Sequence, residues 1–272
     1  MDDKSLELIA NNARKNIIKM VSNASSGHPG GSLSAVDILT VLYFDEMNIN
    51  ESNVNDVRRD KFVLSKGHAS PVLYSVLKEK GFITQEDLMT FRLIDSKIQG
   101  HPSKKSTRGV DMSTGSLGQG VSAAVGMALS NKIHNLDFRT YALMGDGESQ
   151  EGQIWEALMS ASHYNLDNLC IILDYNGLQI DGNITDVMNP EPFASKFEAF
   201  GLNVISIDGH NIQEIKNAFA KAKECKGKPS IIIAHTIKGK GVSFMENNAG
   251  WHGSAPNAEQ TEMALKDLEE LI

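Results

Sequence analysis

Apolar residues in the first half of the chain recur mostly at helical spacing. The pattern predicts a helix over residues 4–22, whose apolar face holds Leu6, Ile9, Ala13, Ile17 and Met20. A second helical pattern covers 33–44, a short apolar strand covers 61–65, and the turn and helix that follow stop at Gly81. Residues 92–120 are rich in Gly, Ser and Thr and predict loops, and residues 120–133 predict a helix of small residues.

Short apolar strands and helices alternate in the second half of the chain. The predicted strands span 140–144, 169–174, 203–208 and 230–236, and helices are expected over 150–163, 191–200, 211–225 and 257–271. Strands that are apolar at nearly every position are buried on both faces, as in parallel sheets with helical crossovers. The sequence therefore predicts an α/β fold, a parallel sheet with helices on both faces.

Composition narrows the class of protein. The chain has 272 residues, 41% of them hydrophobic, and 34 acidic residues against 26 basic ones give a formal net charge of -8. That balance argues against nucleic acid and against an anionic membrane as partners. Cys170 and Cys225 are the only cysteines and form neither a disulfide framework nor a zinc motif. Because the N-terminus is too acidic for a signal peptide and no apolar run approaches a membrane span, we expect a reduced, cytoplasmic protein.

The strand predicted at 140–144 runs into the motif GDGESQEGQIWEA, in which a glycine turn precedes a helix. Such a turn presents backbone N–H groups to phosphate, at the sheet edge where α/β proteins bind ligands. Asp146 in this turn would repel a phosphate unless a hard cation lay between them, and Mg²⁺ takes one or two carboxylates together with phosphate oxygens. An ordinary Asp-Gly turn with a solvated carboxylate is the alternative.

The end of the next strand supplies further oxygen atoms. In ILDYNGLQIDG the strand ends at Asp174 and is followed by Asn176 and Leu178. Adjacent parallel strands end at the same edge of a sheet, so Asp146 and Asn176 can face one cation. The two motifs together predict a Mg²⁺ site that bridges a diphosphate.

Histidines beside glycines form a second pattern. Five of the eight histidines adjoin glycine: His28, His68, His101, His210 and His252. Glycine turns at strand ends can aim such side chains into one pocket, and histidine is the natural proton acceptor near neutral pH. For any single Gly–His pair a solvated turn is the simpler interpretation. We expect His210, like the three histidines without a glycine neighbour, to be an ordinary loop, surface or core residue.

Seven motifs, in the same order, make the chain similar to the N-terminal half of a transketolase. They are SSGHPGGSLS, LSKGHASPVLYS, GHPSKK, STGSLGQG, GDGESQEGQIWEA, DYNGLQIDG and HTIKGKGVSFMENNAGWHGSAP, and they extend over nearly the whole chain. The resemblance implies a thiamine diphosphate-binding fold and a single diphosphate-binding (PP-type) domain over residues 1–272. Thiamine diphosphate and Mg²⁺, with Ca²⁺ or Mn²⁺ as substitutes, are the implied cofactors.

The resemblance also assigns roles to residues. It implies Asp146, Asn176 and the Leu178 carbonyl as metal ligands and His28, His101 and His252 as catalytic histidines at the reacting end of the substrate channel. Around the cofactor it places His68, Gly115, Ser116, Leu117, Gly147, Glu156, Asn176, Ile180, Lys238 and His252. Glu151, like Glu156, matches a helix carboxylate at the interface of the cofactor site.

The implied activity is transfer of a two-carbon ketol unit between sugar phosphates. In the family a ketose phosphate such as xylulose 5-phosphate is the donor, an aldose phosphate such as ribose 5-phosphate is the acceptor, and a carbanion is stabilised on thiamine diphosphate. A second module binds the aminopyrimidine ring of the cofactor, and 272 residues leave no room for it. The resemblance therefore implies the N-terminal subunit of a split transketolase (EC 2.2.1.1) of the pentose phosphate pathway. We expect it to act only with a C-terminal subunit, in an α2β2 heterotetramer, unless the sequence is a piece of a longer transketolase.

Two other functions remain open. A 1-deoxyxylulose-5-phosphate synthase would share the GDG…N pattern and the SGH turn, although SKGHASPVLYS and GHPSKKSTRGVDMSTGSLGQG favour transketolase. A non-catalytic regulatory subunit is the second alternative. The presence of Asp146, Asn176 and four matching histidines argues against it.

Overall fold

The computed structural model describes residues 1–271. In chain order the strands of this part are β1 (Lys61–Leu64), β2 (Thr140–Gly145), β3 (Leu169–Tyr175), β4 (Leu178–Gln179), β5 (Gly182–Asn183), β6 (Asn203–Asp208) and β7 (Ser230–His235). Within it the main sheet has five parallel strands in the order β1-β2-β3-β7-β6. The five predicted strands are those of this sheet, so the predicted parallel α/β architecture is confirmed. The antiparallel pair β4 and β5 was not predicted.

Helices surround the sheet. In chain order they are α1 (Asp3–Asn23), α2 (Pro29–Leu33), α3 (Val36–Val41), α4 (Ser70–Glu79), α5 (Gln85–Met89), α6 (Gln119–His134), α7 (Gly152–His163), α8 (Ile184–Met188), α9 (Phe193–Ala199), α10 (Ile212–Glu224) and α11 (Ala258–Glu269). Side chains that accept from backbone N–H groups begin several of them: Asp2 caps α1, Asn211 caps α10, and Asn257 forms a capping box with Gln260 at α11. In the part of the chain described, no helix is long and apolar enough to cross a membrane.

The helix predicted over 33–44 is divided in the structure. Residues Pro29–Leu33 form α2, Val36–Val41 form α3, and a π-helical turn covers Leu42–Glu46. The first piece begins earlier than predicted because Pro29 is well suited to the first turn of a helix, where its missing N–H is not needed. The predicted loop region lies between α5 and α6, as expected.

Alternate residues of the central strands enter two separate cores. In β3, Cys170 and Ile172 pack towards α1, α3, α4 and α10, whereas Leu169, Ile171 and Leu173 pack towards α6, α7 and α9. Side chains of a strand point alternately to its two faces, so an unbroken apolar strand needs a helical layer on each side. This explains the continuous apolar pattern of the sequence and confirms helices on both faces.

The order of the strands places the loops that carry chemistry. Strands β1, β2, β3 and β7 are neighbours, and being parallel they end at the same edge. The chain leaves β3 through α9 on one face of the sheet, whereas it leaves the neighbouring strand β7 towards the core on the other face, so the connections diverge between β3 and β7. Ligands of open α/β sheets bind in the crevice that such a change of direction creates at the carboxyl ends of the strands.

Candidate active site

Two loops at the carboxyl edge bring together the oxygen atoms predicted to bind a cation. Asp146 follows β2 and Asn176 follows β3, and the Asp146 carboxylate accepts a 2.6 Å hydrogen bond from the Gly177 N–H, which ties the loops together. Asp146 is only 3% exposed, and its burial together with the Asp174 carboxylate raises the pKa of Asp146 to about 6. A divalent cation at Asp146 would offset both effects, so the environment of this carboxylate suits a metal ligand.

Asp174, at the end of β3, orients Asn176. Its carboxylate accepts hydrogen bonds from the Lys66 ammonium, the Ser34 hydroxyl (2.6 Å), the Thr236 hydroxyl and the Asn176 amide nitrogen (3.2 Å). Burial alone would raise the pKa of Asp174, but Lys66 and these hydrogen bonds hold it below its ordinary value. Because the amide nitrogen of Asn176 is directed to Asp174, its oxygen is the atom available as a ligand.

Lys66 is a residue that the sequence analysis missed. It is fully buried, pairs with Asp174 and also donates to the Gly31 carbonyl at 2.6 Å. One signal could have identified Lys66: in KFVLSK it follows an apolar strand closely, at the sheet edge where ligands bind. A lysine that is buried in such a place is nearly always paired with an acidic group.

Lys238 follows β7 and reaches the third predicted metal ligand. Its ammonium lies 3.1 Å from the Leu178 carbonyl oxygen and 3.0 Å from His252 Nδ1. Burial, reinforced by the charge of Lys66, lowers the pKa of Lys238 to about 8. A diphosphate in this place would supply the negative charge that the buried ammonium lacks.

Glu148 fastens the glycine loop before α6 to the turn after β2. Its buried carboxylate accepts from the Gly118 N–H (2.9 Å), the Gly145 N–H (3.1 Å) and the Ser65 hydroxyl. Burial raises the pKa of Glu148, and these hydrogen bonds oppose the effect. The sequence analysis did not assign Glu148 a role, because nothing in the sequence shows which distant backbone groups a carboxylate will meet.

Three of the predicted histidines form a cluster. The ring centroids of His28 and His68 are 5.2 Å apart, those of His28 and His252 are 5.6 Å apart, and those of His68 and His252 are 5.2 Å apart. Burial first, and neighbouring positive charges second, lower the pKa of His28 to about 4, that of His252 to about 3, and that of His68 well below its ordinary value. All three rings are therefore neutral at pH 7, and a bound anion would raise these pKa values.

The fourth predicted histidine lies at the rim. His101 is exposed, and its ring packs on Gly115, where an added Cβ would lie 3.2 Å from the imidazole. Partial burial and the Arg92 guanidinium lower the pKa of His101. Arg92, and His101 when it is protonated, also contribute, after burial, to the low pKa of His28, so these residues belong to one region.

A cavity of about 390 Å³ joins these groups. The predicted site residues that line it are His28, His68, Gly115, Leu117, Asp146, Gly147, Asn176, Leu178, Ile180, Lys238 and His252, and Glu151 lines it as well. The cavity lining does not include His101, Ser116 or Glu156, and all three are exposed. Ser116 lies between two lining residues of the same loop, and Glu156 lies on α7, so their predicted roles stay predictions.

The groups in the cavity match what a metal-bound diphosphate requires. Among residues 1–271 no group of three or more His, Cys, Asp or Glu side chains could hold a metal, but the set predicted here is of a different kind, with one carboxylate, one amide oxygen and one carbonyl. Hard divalent cations accept such a set and complete it with phosphate oxygens and water. Beside it lie Lys238 and the histidine cluster, in which the buried His28 Nδ1 has no hydrogen-bond partner among the described residues. An unpaired buried polar atom indicates a ligand or water that completes the site.

Comparisons with known proteins agree with this geometry. Residues 5–268 match the family described as transketolase, thiamine diphosphate binding domain. The chain is 42% identical, over its whole length and 96% of the relative, to one of the subunits of the apulose-4-phosphate transketolase of Phocaeicola vulgatus. It is 45% identical, over 96% of its length and 94% of the relative, to a 6-deoxy-6-sulfo-D-fructose transketolase subunit of a Clostridium species.

Longer transketolases match over part of their length. Human transketolase is 40% identical over 97% of this chain but only 42% of the human protein. The crystal structure of transketolase from Campylobacter jejuni superposes with a TM-score of 0.94 at 39% identity and covers 99% of this chain and 43% of the solved one. The chain thus spans about two fifths of these longer proteins and nearly all of the two subunits described above.

Proposed function

The chain belongs to the transketolase family through its thiamine diphosphate-binding domain, and we propose that it is one subunit of an enzyme that, with a separate C-terminal subunit, transfers a two-carbon ketol unit from a ketose donor to an aldose phosphate. The observation that carries the proposal is the set of Asp146, Asn176 and the Leu178 carbonyl beside Lys238 in one cavity. A cation held by these oxygen atoms could bind phosphate oxygens of a diphosphate, and the buried ammonium beside it could neutralise the remaining negative charge.

The residues of this chain divide into binding and proton-handling groups. Asp146, Asn176 and Leu178 would hold Mg²⁺, while Lys238 and His68 would neutralise the diphosphate oxygens. When bound, thiamine diphosphate supplies an electron sink for cleavage of the ketose carbon–carbon bond. His28, whose ring makes no hydrogen bond among residues 1–271, and His252, whose Nδ1 contacts Lys238, would accept and return protons at the substrate hydroxyls, with His101 at the rim.

A partner subunit is part of the proposal. Two relatives that this chain matches over almost their full length are named as subunits of transketolases rather than as whole enzymes. We propose an α2β2 heterotetramer in which the C-terminal subunit covers the open side of the cavity. On that side Ile180 lines the cavity with its side chain 69% exposed, which is a large exposed area for an isoleucine.

The proposal covers a class of sugar substrates rather than one donor and one acceptor. The two subunit relatives are named for apulose 4-phosphate and for 6-deoxy-6-sulfo-D-fructose, so transfer from xylulose 5-phosphate to ribose 5-phosphate, in the pentose phosphate pathway, is one of several pairs. We propose the broader class, a ketose donor and an aldose phosphate acceptor. A cytoplasmic location stays a prediction.

The test is reconstitution. The chain is purified alone and with a C-terminal transketolase subunit from the same organism, each with thiamine diphosphate and Mg²⁺. Donors are xylulose 5-phosphate, fructose 6-phosphate, apulose 4-phosphate and 6-deoxy-6-sulfo-D-fructose, and acceptors are ribose 5-phosphate and glyceraldehyde 3-phosphate. We expect no transfer by the chain alone and transfer by the complex with at least one pair. A complex that binds the cofactor but transfers nothing between any of them refutes the proposal.

Two controls separate the alternatives. Formation of 1-deoxyxylulose 5-phosphate from pyruvate and glyceraldehyde 3-phosphate would identify a synthase instead. Calorimetry of the complex with thiamine diphosphate and Mg²⁺ addresses a regulatory role, because a complex that binds neither compound has no catalytic cofactor. We expect a Kd of about 1 μM or lower, which corresponds to a binding free energy of about -8 kcal/mol or more negative.

A further inference from the structure

His210 lies outside the cavity, yet its ring contacts the residue that precedes Lys238 of the proposed diphosphate site. It lies between β6 and α10, and its side chain is only 13% exposed. His210 Nε2 accepts a 2.9 Å hydrogen bond from the backbone N–H of Ile237, the residue before Lys238. The ring therefore touches the segment that carries the buried ammonium of the site.

The hydrogen bonds determine which nitrogen of His210 carries the proton. A backbone N–H can only donate, so Nε2 must be unprotonated, and Nδ1 of the neutral ring bears the hydrogen. Nδ1 lies 2.8 Å from a carboxylate oxygen of Asp37 and donates to it. The two contacts together fix both the tautomer and the orientation of the imidazole, as a carboxylate does for histidines in many sites.

Asp37 is itself held by the helical layer. It lies on α3, is buried, and pairs with the Arg14 guanidinium of α1. Burial would raise the pKa of Asp37, but Arg14 first and His210 second hold it below its ordinary value, so the carboxylate is ionised and accepts from both groups. Arg14, Asp37 and His210 form a continuous chain of contacts from the packed helices to the Ile237 amide.

The segment after β7 is also held by backbone hydrogen bonds, beginning with the Thr236 N–H, which donates to the Tyr175 carbonyl of β3 at 3.0 Å. The Lys238 carbonyl accepts from the Asn247 N–H at 2.9 Å, and the Gly239 N–H donates to the Gly30 carbonyl at 3.0 Å. Both of these partners belong to loops or to the short helix α2, whereas His210 ties the segment to the helical core through Asp37. Because the Lys238 side chain is only 2% exposed and is enclosed by its neighbours, the position of its ammonium depends on the position of its backbone.

We propose that His210 is a positioning residue of the diphosphate site: held by Asp37, it anchors the Ile237 amide and thereby sets the position of the Lys238 ammonium. The inference rests on the proposed function for the identity of the anion, and on the hydrogen bonds alone for the anchoring. The sequence analysis assigned His210 no role, because its partners are distant in the chain.

The test uses two substitutions that each keep one half of the imidazole. In His210→Asn the amide nitrogen replaces Nδ1 and can still donate to Asp37, but the acceptor for Ile237 is lost. In His210→Gln the side-chain oxygen reaches the place of Nε2 and can still accept from Ile237, while Asp37 keeps Arg14. His134→Asn, at an exposed position at the end of α6, is the control.

Two readouts are taken on the complex with its C-terminal subunit. Hydrogen–deuterium exchange over residues 236–247, measured without cofactor, should become at least about fivefold faster in His210→Asn and stay near wild type in His210→Gln and His134→Asn. Calorimetry with thiamine diphosphate and excess Mg²⁺ should show about a tenfold higher Kd in His210→Asn, the size typical of lost supporting contacts, and less than threefold in the other two.

A third arm tests whether His210 acts through Lys238. In a Lys238→Ala background, His210→Asn should change the Kd less than twofold, because the group that it positions is gone. Unchanged exchange in His210→Asn overturns the anchoring, and an undiminished effect in Lys238→Ala, or equal losses in the Asn and Gln variants, overturns the link to Lys238. Failure of the proposed function looks different, because the complex would then show these shifts in exchange and binding without any transfer of a ketol unit.

Discussion

His28 is the histidine for which a role in proton transfer can be distinguished most clearly from a role in cofactor binding. Its ring lies against His68 and His252, but whereas Lys238 contacts His252 Nδ1 directly, the buried Nδ1 of His28 has no partner among residues 1–271. The turn Gly27–Pro29 fixes the ring before any ligand arrives, since Gly27 has a φ of +146° and its Cβ would lie 2.9 Å from Val21. A preset imidazole suits proton transfer at substrate better than it suits a flexible anion contact.

Replacement of His28 by alanine should therefore affect turnover far more than cofactor binding. In the complex with the C-terminal subunit we expect kcat to fall at least about 100-fold, the range of general acid–base catalysis, with the Kd of thiamine diphosphate within about threefold of wild type. Steady-state kinetics and calorimetry measure the two effects. His163→Ala, at an exposed position, is the control. A large loss of cofactor affinity would instead place His28 at the diphosphate.

Substitution of the neighbouring carboxylates Asp146 and Asp174 should change the stability of the chain to very different extents. Asp146 is buried beside Asp174 with donors only from backbone, whereas Asp174 neutralises the buried Lys66. Asp146→Asn should leave the unfolding free energy of the cofactor-free chain within about 1 kcal/mol, because it removes a repulsive buried charge. Asp174→Asn should lower it by about 3 kcal/mol or more, because an unpaired ammonium is left in the interior.

Urea unfolding and Mg²⁺ binding together check this contrast. Asp146→Asn should raise the Kd of Mg²⁺ with thiamine diphosphate at least about tenfold in the complex, since the single anionic ligand is lost. Equal destabilisation by the two variants would contradict the distinction between a ligand and a structural ion pair.

At the scale of elements, α6 shows how close packing near the site is achieved. Gly120 lies where an added Cβ would be 2.6 Å from Ser65 Cα, whereas Gly126, six residues along the same helix, has nothing within 4 Å of such an atom. The absence of a side chain at Gly120 lets the start of α6 approach Ser65 at the end of β1. This brings the Gly118 N–H and the Ser65 hydroxyl together at the Glu148 carboxylate, to which both donate. Gly126 has no such constraint within the chain.

Alanine at these two positions should have effects of opposite sign. Gly120→Ala should destabilise the isolated chain by about 1–3 kcal/mol, because the backbone of β1 must move. Gly126→Ala should stabilise it by about 0.5–1 kcal/mol, because alanine loses less backbone entropy in a helix interior. Both values come from urea unfolding with circular dichroism. A destabilising Gly126→Ala would show that this helix face is constrained inside the chain.

At the scale of the whole molecule, cofactor and metal should stabilise the complex only together. The cavity offers the diphosphate a metal set and one ammonium, so without the cation the Asp146 carboxylate would face the phosphates directly. Thiamine diphosphate with Mg²⁺, at about one hundred times its Kd, should add roughly 2.7 kcal/mol, which at about 2 °C per kcal/mol for a chain of this length raises the Tm by about 5 °C. Differential scanning calorimetry with and without EDTA measures the rise. A full rise in EDTA would contradict a metal-bridged diphosphate.

The strand and helix pattern could be predicted because it depends on burial. Leu169 to Leu173 are apolar at every position, which is possible only where both faces of a strand are covered, and the structure has a helical layer on each side. The helix predicted over 33–44 was wrong as a single element, because the close packing of the SSGHPGGSLS turn and the π-helical turn after α3 depend on tertiary contacts.

The candidate site could be predicted only where a motif carries its own local geometry. Asp146 and Asn176 each follow a strand directly and Leu178 lies two residues further on, so the sequence predicts that they lie together, and the structure places all three around one cavity. Lys66 and Glu148 were not found, since their partners are distant in the sequence. His210 was interpreted as an ordinary residue for the same reason, as Asp37 lies 173 positions before it.

The sequence by itself determined the architecture, the family and the identity of the residues at the carboxyl edge, because periodicity, strand ends and glycine turns are local properties. Only the tertiary structure decided the strand order, the contacts of Asp174 with Lys66 and of Glu148 with the glycine loop, and the chain of contacts from Arg14 to Ile237. The physical reason is that hydrogen bonds between distant segments have no period in the sequence. Which buried charge meets which partner is settled by how the layers pack.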